Sequence, residues 1–164
     1  MFARLGPAQP AQNSDVIARA VGALALAALA VIHVVDLPAT LGPTPLVGAG
    51  YLAIIAAAVL TGGVMITRSH WLAWAAAGAV AASALGGYVL TRAVPGGFLG
   101  DHADVGNWRC PLGIAALSVE AILILLVVLT AWQARGRAAA RVAPQPLPEL
   151  ARRRTPEYSY RNAG

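Results

Sequence analysis

The sequence is poor in charged residues and has a single cysteine. Asp, Glu, Lys and Arg together make up 12% of its 164 residues, whereas typical soluble domains carry about 25%. Because only one cysteine is present, an internal disulfide framework is excluded. A zinc or iron–sulfur site built only from this chain's cysteines is excluded for the same reason. Lysine is absent, so all twelve basic residues are arginines.

Apolar residues make up most of the sequence. They make up 58% of the chain, and the mean hydropathy is +0.65. A chain this short cannot bury so much apolar surface within its own core. The composition therefore argues against a soluble globular enzyme, and also against disorder across the middle of the chain.

Four apolar stretches indicate membrane-spanning helices. Each has about the 20 residues that a helix needs to cross ~30 Å of hydrocarbon, and none shows the apolar–polar alternation of a membrane β-strand. We therefore predict an all-α, integral membrane four-helix bundle. The predicted helices cover about 17–35, 46–66, 71–91 and 112–132.

Turn-forming residues separate these stretches. Asp36-Leu37-Pro38 and Gly42-Pro43-Thr44-Pro45 predict a short loop after the first helix. Thr67-Arg68-Ser69 predicts a tight turn, which would make the second and third helices antiparallel neighbours. A longer loop is expected over 95–110.

Arginine counting predicts the orientation. If the N-terminus is cytoplasmic, ten of the twelve arginines lie on the cytoplasmic side, and only Arg92 and Arg109 lie outside. We therefore expect a bacterial plasma-membrane protein with both termini in the cytoplasm. Its predicted parts are an N-terminal cytoplasmic segment (1–15), a transmembrane domain (16–133) and a basic, Pro/Arg-rich cytoplasmic tail (134–164). The expected anchors at the two membrane interfaces are Trp71, Trp74, Trp108 and Trp132.

Glu120 brings a formal charge into the fourth apolar stretch. At 1.5 Å per residue it would lie about 12 Å below the outer boundary, where an unpaired carboxylate costs several kcal/mol. One interpretation is a proton or cation relay, or a substrate contact. The structural alternative is a hydrogen bond, for example to Tyr88 or a serine, or an ion pair with Arg92.

A second polar group is predicted at the outer face. Its members are His33, Asp36, Asp101, His102 and Asp104, with Cys110 nearby. These side chains can ligate metals, but no HxxxH, HxH or CxxC spacing is present. His33 and His70 would lie at opposite membrane surfaces, which excludes a haem shared between them. We therefore expect no metal and no cofactor, and expect Asp104 to hold the loop by bonding local backbone N–H groups.

Several of these motifs occur together. His33, Gly87-Tyr88-Val89-Leu90-Thr91-Arg92, Asp104-Val105-Gly106-Asn107-Trp108 and Glu120 form an arrangement that resembles a group of small uncharacterised four-helix integral membrane proteins of actinobacteria. The resemblance covers about Ile32 to Trp132. It implies the fold but carries no assigned reaction. The alanine bias and the exclusive use of arginine are also typical of high-GC bacterial genomes.

Small residues recur on two of the predicted helices. Such rows let helix backbones approach closely. They would serve either packing inside the bundle or docking of another membrane subunit. The rows are Gly50, Ala58 and Gly62, and Gly78, Ala82 and Gly86.

The C-terminal tail differs in composition from the rest of the chain. Its prolines favour an extended or disordered segment. Arg152, Arg153 and Arg154 are expected to contact anionic lipid headgroups or a partner protein. The basic charge is explained by orientation in the membrane, so we expect no nucleic-acid binding.

The sequence shows no nucleophile–base arrangement, phosphate-binding loop or catalytic carboxylate pair, so we expect no enzyme. The favoured hypothesis is a non-catalytic accessory or assembly subunit of a larger membrane complex, such as a respiratory or redox complex. One alternative is a small proton- or ion-coupled transporter centred on Glu120. Another is an outer-surface metal or haem sensor that uses His33, His102 and Cys110.

Overall fold

The computed structural model describes residues 10–68 and 71–142, and these fold almost entirely into four α-helices. Each helix is long and apolar enough to cross a membrane. The all-α class and the number of apolar helices are therefore as predicted. The helices are α1 (Pro10–Leu41), α2 (Pro45–Thr67), α3 (Trp71–Ala93) and α4 (Pro111–Val142).

The helix α1 continues through the segment Asp36–Pro38, which was predicted to be a loop. That prediction is wrong because Pro38 stands in the last turn, where the lost backbone donor affects only one carbonyl. The Thr40 hydroxyl also donates to the Asp36 carbonyl at 3.0 Å and so supports this turn. At its other end α1 begins at Pro10, a residue type suited to the first helical position.

The helix α4 extends to Val142, ten residues beyond its predicted end. The prediction of an extended or disordered tail is therefore wrong for residues 134–142. This segment is rich in Ala and Arg, both strong helix formers. From 131 to 140 every described side chain is exposed. The rest of the predicted tail lies outside the described residues, as do residues 1–9 of the N-terminal segment.

The core combines large side chains from α1 and α4 with small ones from α2 and α3. Leu26, Leu29 and Leu123 are fully buried, as are Ala77 and Ala81 opposite them. Large residues packed onto small ones let helices approach closely in an apolar setting. Helix α1 packs closely along α2, and α2 and α3 make fewer close backbone contacts.

The rows of small residues are divided between the inside and the outside. Gly62 faces α1, since an added Cβ would lie 3.8 Å from the Leu26 Cβ. Gly78 faces α4, where an added Cβ would lie 3.3 Å from a Val127 methyl group. Ala82, by contrast, is exposed. Packing inside the bundle therefore accounts for Gly62 and Gly78 but not for Ala82.

One end of the set of helices carries loop 94–110, and we call it the long-loop end. Helices α1 and α3 end there, and helices α2 and α4 begin there. A tight turn forms in this loop, where the Asp101 N–H donates to the Phe98 carbonyl at 3.0 Å. The loop returns to α3 through the Gly106 N–H, which donates to the Arg92 carbonyl at 3.0 Å. These bonds fix the loop beside the ends of the helices.

Candidate functional site

A cleft of about 510 Å³ opens in the half of the bundle next to the long-loop end. All four helices and loop 94–110 contribute to its walls. Most of the lining is apolar, with Val47, Ile54, Val80 and Ala116 as representative members. Its volume lies within the range of small-molecule sites.

Glu120 lines this cleft and is 1% exposed. Its carboxyl oxygen Oε2 has no hydrogen-bond partner among the residues that the structure describes. The buried residues one turn away on either side, Ala116 and Leu123, are apolar. A carboxyl group in such surroundings is costly unless a ligand or a proton compensates it.

Two of the partners considered for Glu120, Tyr88 and Arg92, are engaged elsewhere. The Tyr88 hydroxyl donates to the Trp108 carbonyl at 3.0 Å. Arg92 Nη2 forms an ion pair with Asp104 Oδ2 at 3.3 Å. The structural alternative, in which Tyr88 or Arg92 satisfies Glu120, is therefore wrong.

Arg92 is buried at the end of α3, and its donors are well satisfied. Nε donates to the Asn107 carbonyl at 3.1 Å, and Nη1 donates to the Thr91 hydroxyl at 2.7 Å. The guanidinium carbon lies 3.8 Å from the centre of the Tyr88 ring, within the range of a cation–π contact. With Asp104 as its counter-ion, Arg92 joins the loop to α3 and adds no uncompensated charge to the cleft.

The acids of the loop form a small network. Asp101 is buried, and its Oδ1 accepts the backbone N–H of Asp104 at 3.2 Å. Asp104 in turn accepts the side-chain amide of Asn107 at 3.3 Å. Asp101, rather than Asp104, thus bonds a backbone N–H, while Asp104 holds the loop through side chains. Burial, followed by the nearby charge of Asp104, raises the pKa of Asp101.

A second polar group lies where α1 and α2 meet. The Tyr51 hydroxyl donates to Asp36 Oδ2 at 3.0 Å, and the Tyr51 ring makes an edge contact with the His33 ring at 4.8 Å. His33 is buried, with Nδ1 2.9 Å from the Leu29 carbonyl oxygen. When Nδ1 carries the proton and donates this bond, Nε2 is left as an acceptor.

The predicted outer cluster is thus two groups in the structure. Asp36 and His33 belong to the group with Tyr51, Asp101 and Asp104 belong to the loop network, and His102 is exposed. Within the described part of the chain, no three His, Cys, Asp or Glu side chains are placed to hold a metal. Sequence reasoning missed the role of Tyr51. Its spacing of 15 residues from Asp36, across a short loop, was the available signal.

The predicted anchors differ in exposure. Trp71, Trp108 and Trp132 are exposed, whereas Trp74 is half-buried and packs against the core. An added Cβ at Gly22 of α1 would lie 3.2 Å from the Trp74 ring, which identifies Trp74 as a packing residue. The predicted contact residues Arg152, Arg153 and Arg154 lie outside the described residues.

The chemistry of the cleft is that of a binding site. Its apolar walls suit an organic ligand, and Glu120 offers a carboxyl group for a cation or a hydrogen-bond donor. Cys110, the single cysteine, also lines the cleft and is free. The chain matches no protein-family model, and no curated protein or solved structure is significantly similar to it.

Proposed function

We propose that this chain is a multi-pass protein of the bacterial plasma membrane, and that it binds a small organic cation in its cleft and carries it across the membrane. The apolar exterior supports the membrane part of this proposal. Leu24, Leu60 and Ile66, on α1 and α2, are 69%, 70% and 69% exposed. Side chains of this kind are favourable against lipid and unfavourable against water.

The arginine distribution supports the orientation. With both termini in the cytoplasm, the long-loop end faces outward and carries only Arg92 and Arg109. The cleft then lies in the outer half of the membrane, where a ligand from outside would reach it first.

The Glu120 carboxyl is the observation that carries the proposal. A ligand cation would supply the partner that Oε2 has not found in the described part of the chain. The charged side chains that line the cleft also favour a cation. Asp36 and Glu120 line the cleft as acids, and the one lining arginine among the described residues, Arg92, is paired with Asp104.

A transport assay tests this function. Ethidium, an organic cation, would be added outside proteoliposomes that contain trapped DNA, so that entry raises its fluorescence. We expect faster entry with the unmodified protein than with protein-free liposomes, and entry at the protein-free rate with Glu120→Gln. Ser118→Ala is the matched control, because Ser118 is exposed and bonds only the Ile114 carbonyl of its own helix.

Two outcomes would contradict the carrier. If ethidium entered at the protein-free rate with the unmodified protein, the proposal that the protein transports organic cations of this class would be contradicted. Equal entry with the unmodified protein and Glu120→Gln would remove the role of Glu120.

An accessory subunit is the second candidate, and the exposed face of α3 favours it. Ala75, Ala79 and Ala82 are exposed there, and short side chains suit contact with another membrane helix. Purification from native membranes in mild detergent would test this candidate. We expect a constant partner polypeptide if the chain is an accessory subunit, and a chain that always migrates alone would contradict it.

A further inference from the structure

Four small residues line the cleft and are exposed at the same time. Gly50 and Ala53 belong to α2, and Ala79 and Ser83 belong to the adjacent helix α3. An added Cβ at Gly50 would meet no atom within 4 Å, so there is open space beside this residue, a gap between the two helices.

The gap lies at the depth of Glu120. At 1.5 Å per residue, Ala53 is about 12 Å along α2 from the long-loop end, and Ser83 is about 15 Å along α3 from the same end. Glu120 is about 13 Å along α4. In a bilayer with ~30 Å of hydrocarbon, these positions are near the middle and far from bulk water.

We propose that this gap is a lateral portal, formed by Gly50, Ala53, Ala79 and Ser83, through which an amphiphilic organic cation enters the cleft from the bilayer. The proposal deepens the proposed function and rests on it, because the portal faces lipid only when the helices span the membrane. It identifies the ligand as a cation that partitions into lipid, with an apolar body in the cleft and its charge at Glu120.

The walls of the cleft favour this class of ligand over an inorganic cation. Ca²⁺ and Mg²⁺ take several oxygen ligands each, whereas the buried residues one turn away from Glu120, Ala116 and Leu123, offer no side-chain oxygen. Tyr51 and Phe98 also line the cleft, and aromatic rings attract organic cations. The carboxyl group, the aromatic rings and the apolar walls of the cleft thus all favour an organic cation as the ligand.

The loop contributes two apolar side chains to the long-loop end of the cleft. Phe98 and Leu99 line the cleft from the side of the long-loop end. The loop that carries them is tied to α3 by the Arg92–Asp104 ion pair at 3.3 Å. A cation that entered at the long-loop end would meet these two apolar side chains, whereas a cation that entered between α2 and α3 would meet short ones.

Competition binding tests the portal. The protein would be placed in lipid nanodiscs, with radiolabelled tetraphenylphosphonium as tracer and empty nanodiscs as background. One competitor, hexadecyltrimethylammonium, has a chain that anchors it in the bilayer; the other, tetramethylammonium, stays in water. We expect the long-chain cation to displace the tracer, and tetramethylammonium to be weaker by about tenfold or more.

Substitutions in the portal sharpen the test. Ser83→Leu and Ala53→Leu should reduce the potency of the long-chain competitor by about tenfold, because its chain can no longer extend through the gap into the bilayer, and should reduce the potency of tetramethylammonium less. Ala82→Leu is the matched control, since Ala82 is exposed on α3 but does not line the cleft. If Ser83→Leu does not fold, Ala79→Leu takes its place.

The outcomes separate the portal from the proposed function. Equal potency of the two competitors, or an unchanged potency in all portal variants, would overturn the portal and assign the gap to contact with a partner helix. Loss of tracer binding in Glu120→Gln is expected in either case, because it depends on the proposed function alone. Tracer binding that is unaffected by Glu120→Gln would overturn the proposed function as well as the ligand class.

Discussion

The Glu120 carboxyl group lowers the stability of the unliganded protein and, in our proposal, binds the ligand. Its Oε2 is buried, and no described residue offers it a hydrogen bond. An unsatisfied buried polar group costs about 1–3 kcal/mol. Retaining such a group makes physical sense when a ligand compensates it in the bound state.

Replacement of Glu120 by leucine should therefore stabilise the protein. We expect Glu120→Leu to raise the free energy of unfolding by about 1–3 kcal/mol, since an apolar side chain of similar size replaces the unsatisfied group. Denaturant unfolding in detergent, followed by circular dichroism, measures the change. Ala121→Leu, on the exposed neighbouring position, is the control, and a lower stability in Glu120→Leu would show that the carboxyl has a structural partner.

Asp101 predicts a pH dependence of stability. Because burial raises the pKa of Asp101 in the folded state, the folded protein binds this proton more tightly than the unfolded chain does. Its contribution to stability is present below the ordinary aspartate pKa, about 4, and is lost as pH rises through the raised value. Asp101→Asn keeps an oxygen to accept the Asp104 N–H and removes the charge.

We therefore expect Asp101→Asn to be more stable than the unmodified protein at neutral pH, and to lose that advantage as the pH falls below the aspartate range. Unfolding curves over a series of pH values measure the difference. A variant that is less stable at neutral pH would mean that the ionised carboxylate is favoured in the folded state.

The conformation of loop 94–110 depends on the buried, positively charged side chain of Arg92. Arg92 contacts Asp104 through Nη2 and the Asn107 carbonyl through Nε. Asp104→Asn removes the opposite charge and leaves the buried guanidinium uncompensated. We expect faster hydrogen exchange across the loop and a reaction of Cys110 with thiol reagents that is about tenfold faster. Arg68→Gln, which removes an exposed arginine at the opposite end of the helices, should change neither rate, and an unchanged loop in Asp104→Asn would contradict the role of the ion pair.

The helices were predictable from the sequence because long apolar runs with few charges leave few alternatives. Their ends were harder to predict. Pro38 suggested a break but lies in a last turn that tolerates it, and the Ala- and Arg-rich residues 134–142 continue α4. The candidate site was found only in part. Glu120 stood out as a charge in an apolar run. The cleft arises from how the helices pack, which no local pattern contains, and the only signal of the Asp36–Tyr51 bond was its spacing across a short loop.

The molecule as a whole should place its long-loop end outside the cell. Cys110, the only cysteine, provides a direct probe. We expect a membrane-impermeant maleimide to label Cys110 in intact cells, because the arginine distribution predicts that the long-loop end lies outside. In a Cys110→Ser background, Arg153→Cys should be labelled only after the cells are permeabilised. Labelling of both positions from the same side would contradict the proposed topology.

The central claim is that Glu120 binds a cation inside an apolar cleft. Tetraphenylphosphonium and tetraphenylborate are nearly equal in shape and opposite in charge, so they separate the effect of charge from that of apolar contact. The most direct measurement is the dissociation constant of each ion for the unmodified protein and for Glu120→Gln in nanodiscs. We predict saturable binding of the phosphonium alone, weakened about tenfold or more by Glu120→Gln. Equal binding of the two ions, or equal binding of the phosphonium by both proteins, would contradict the claim.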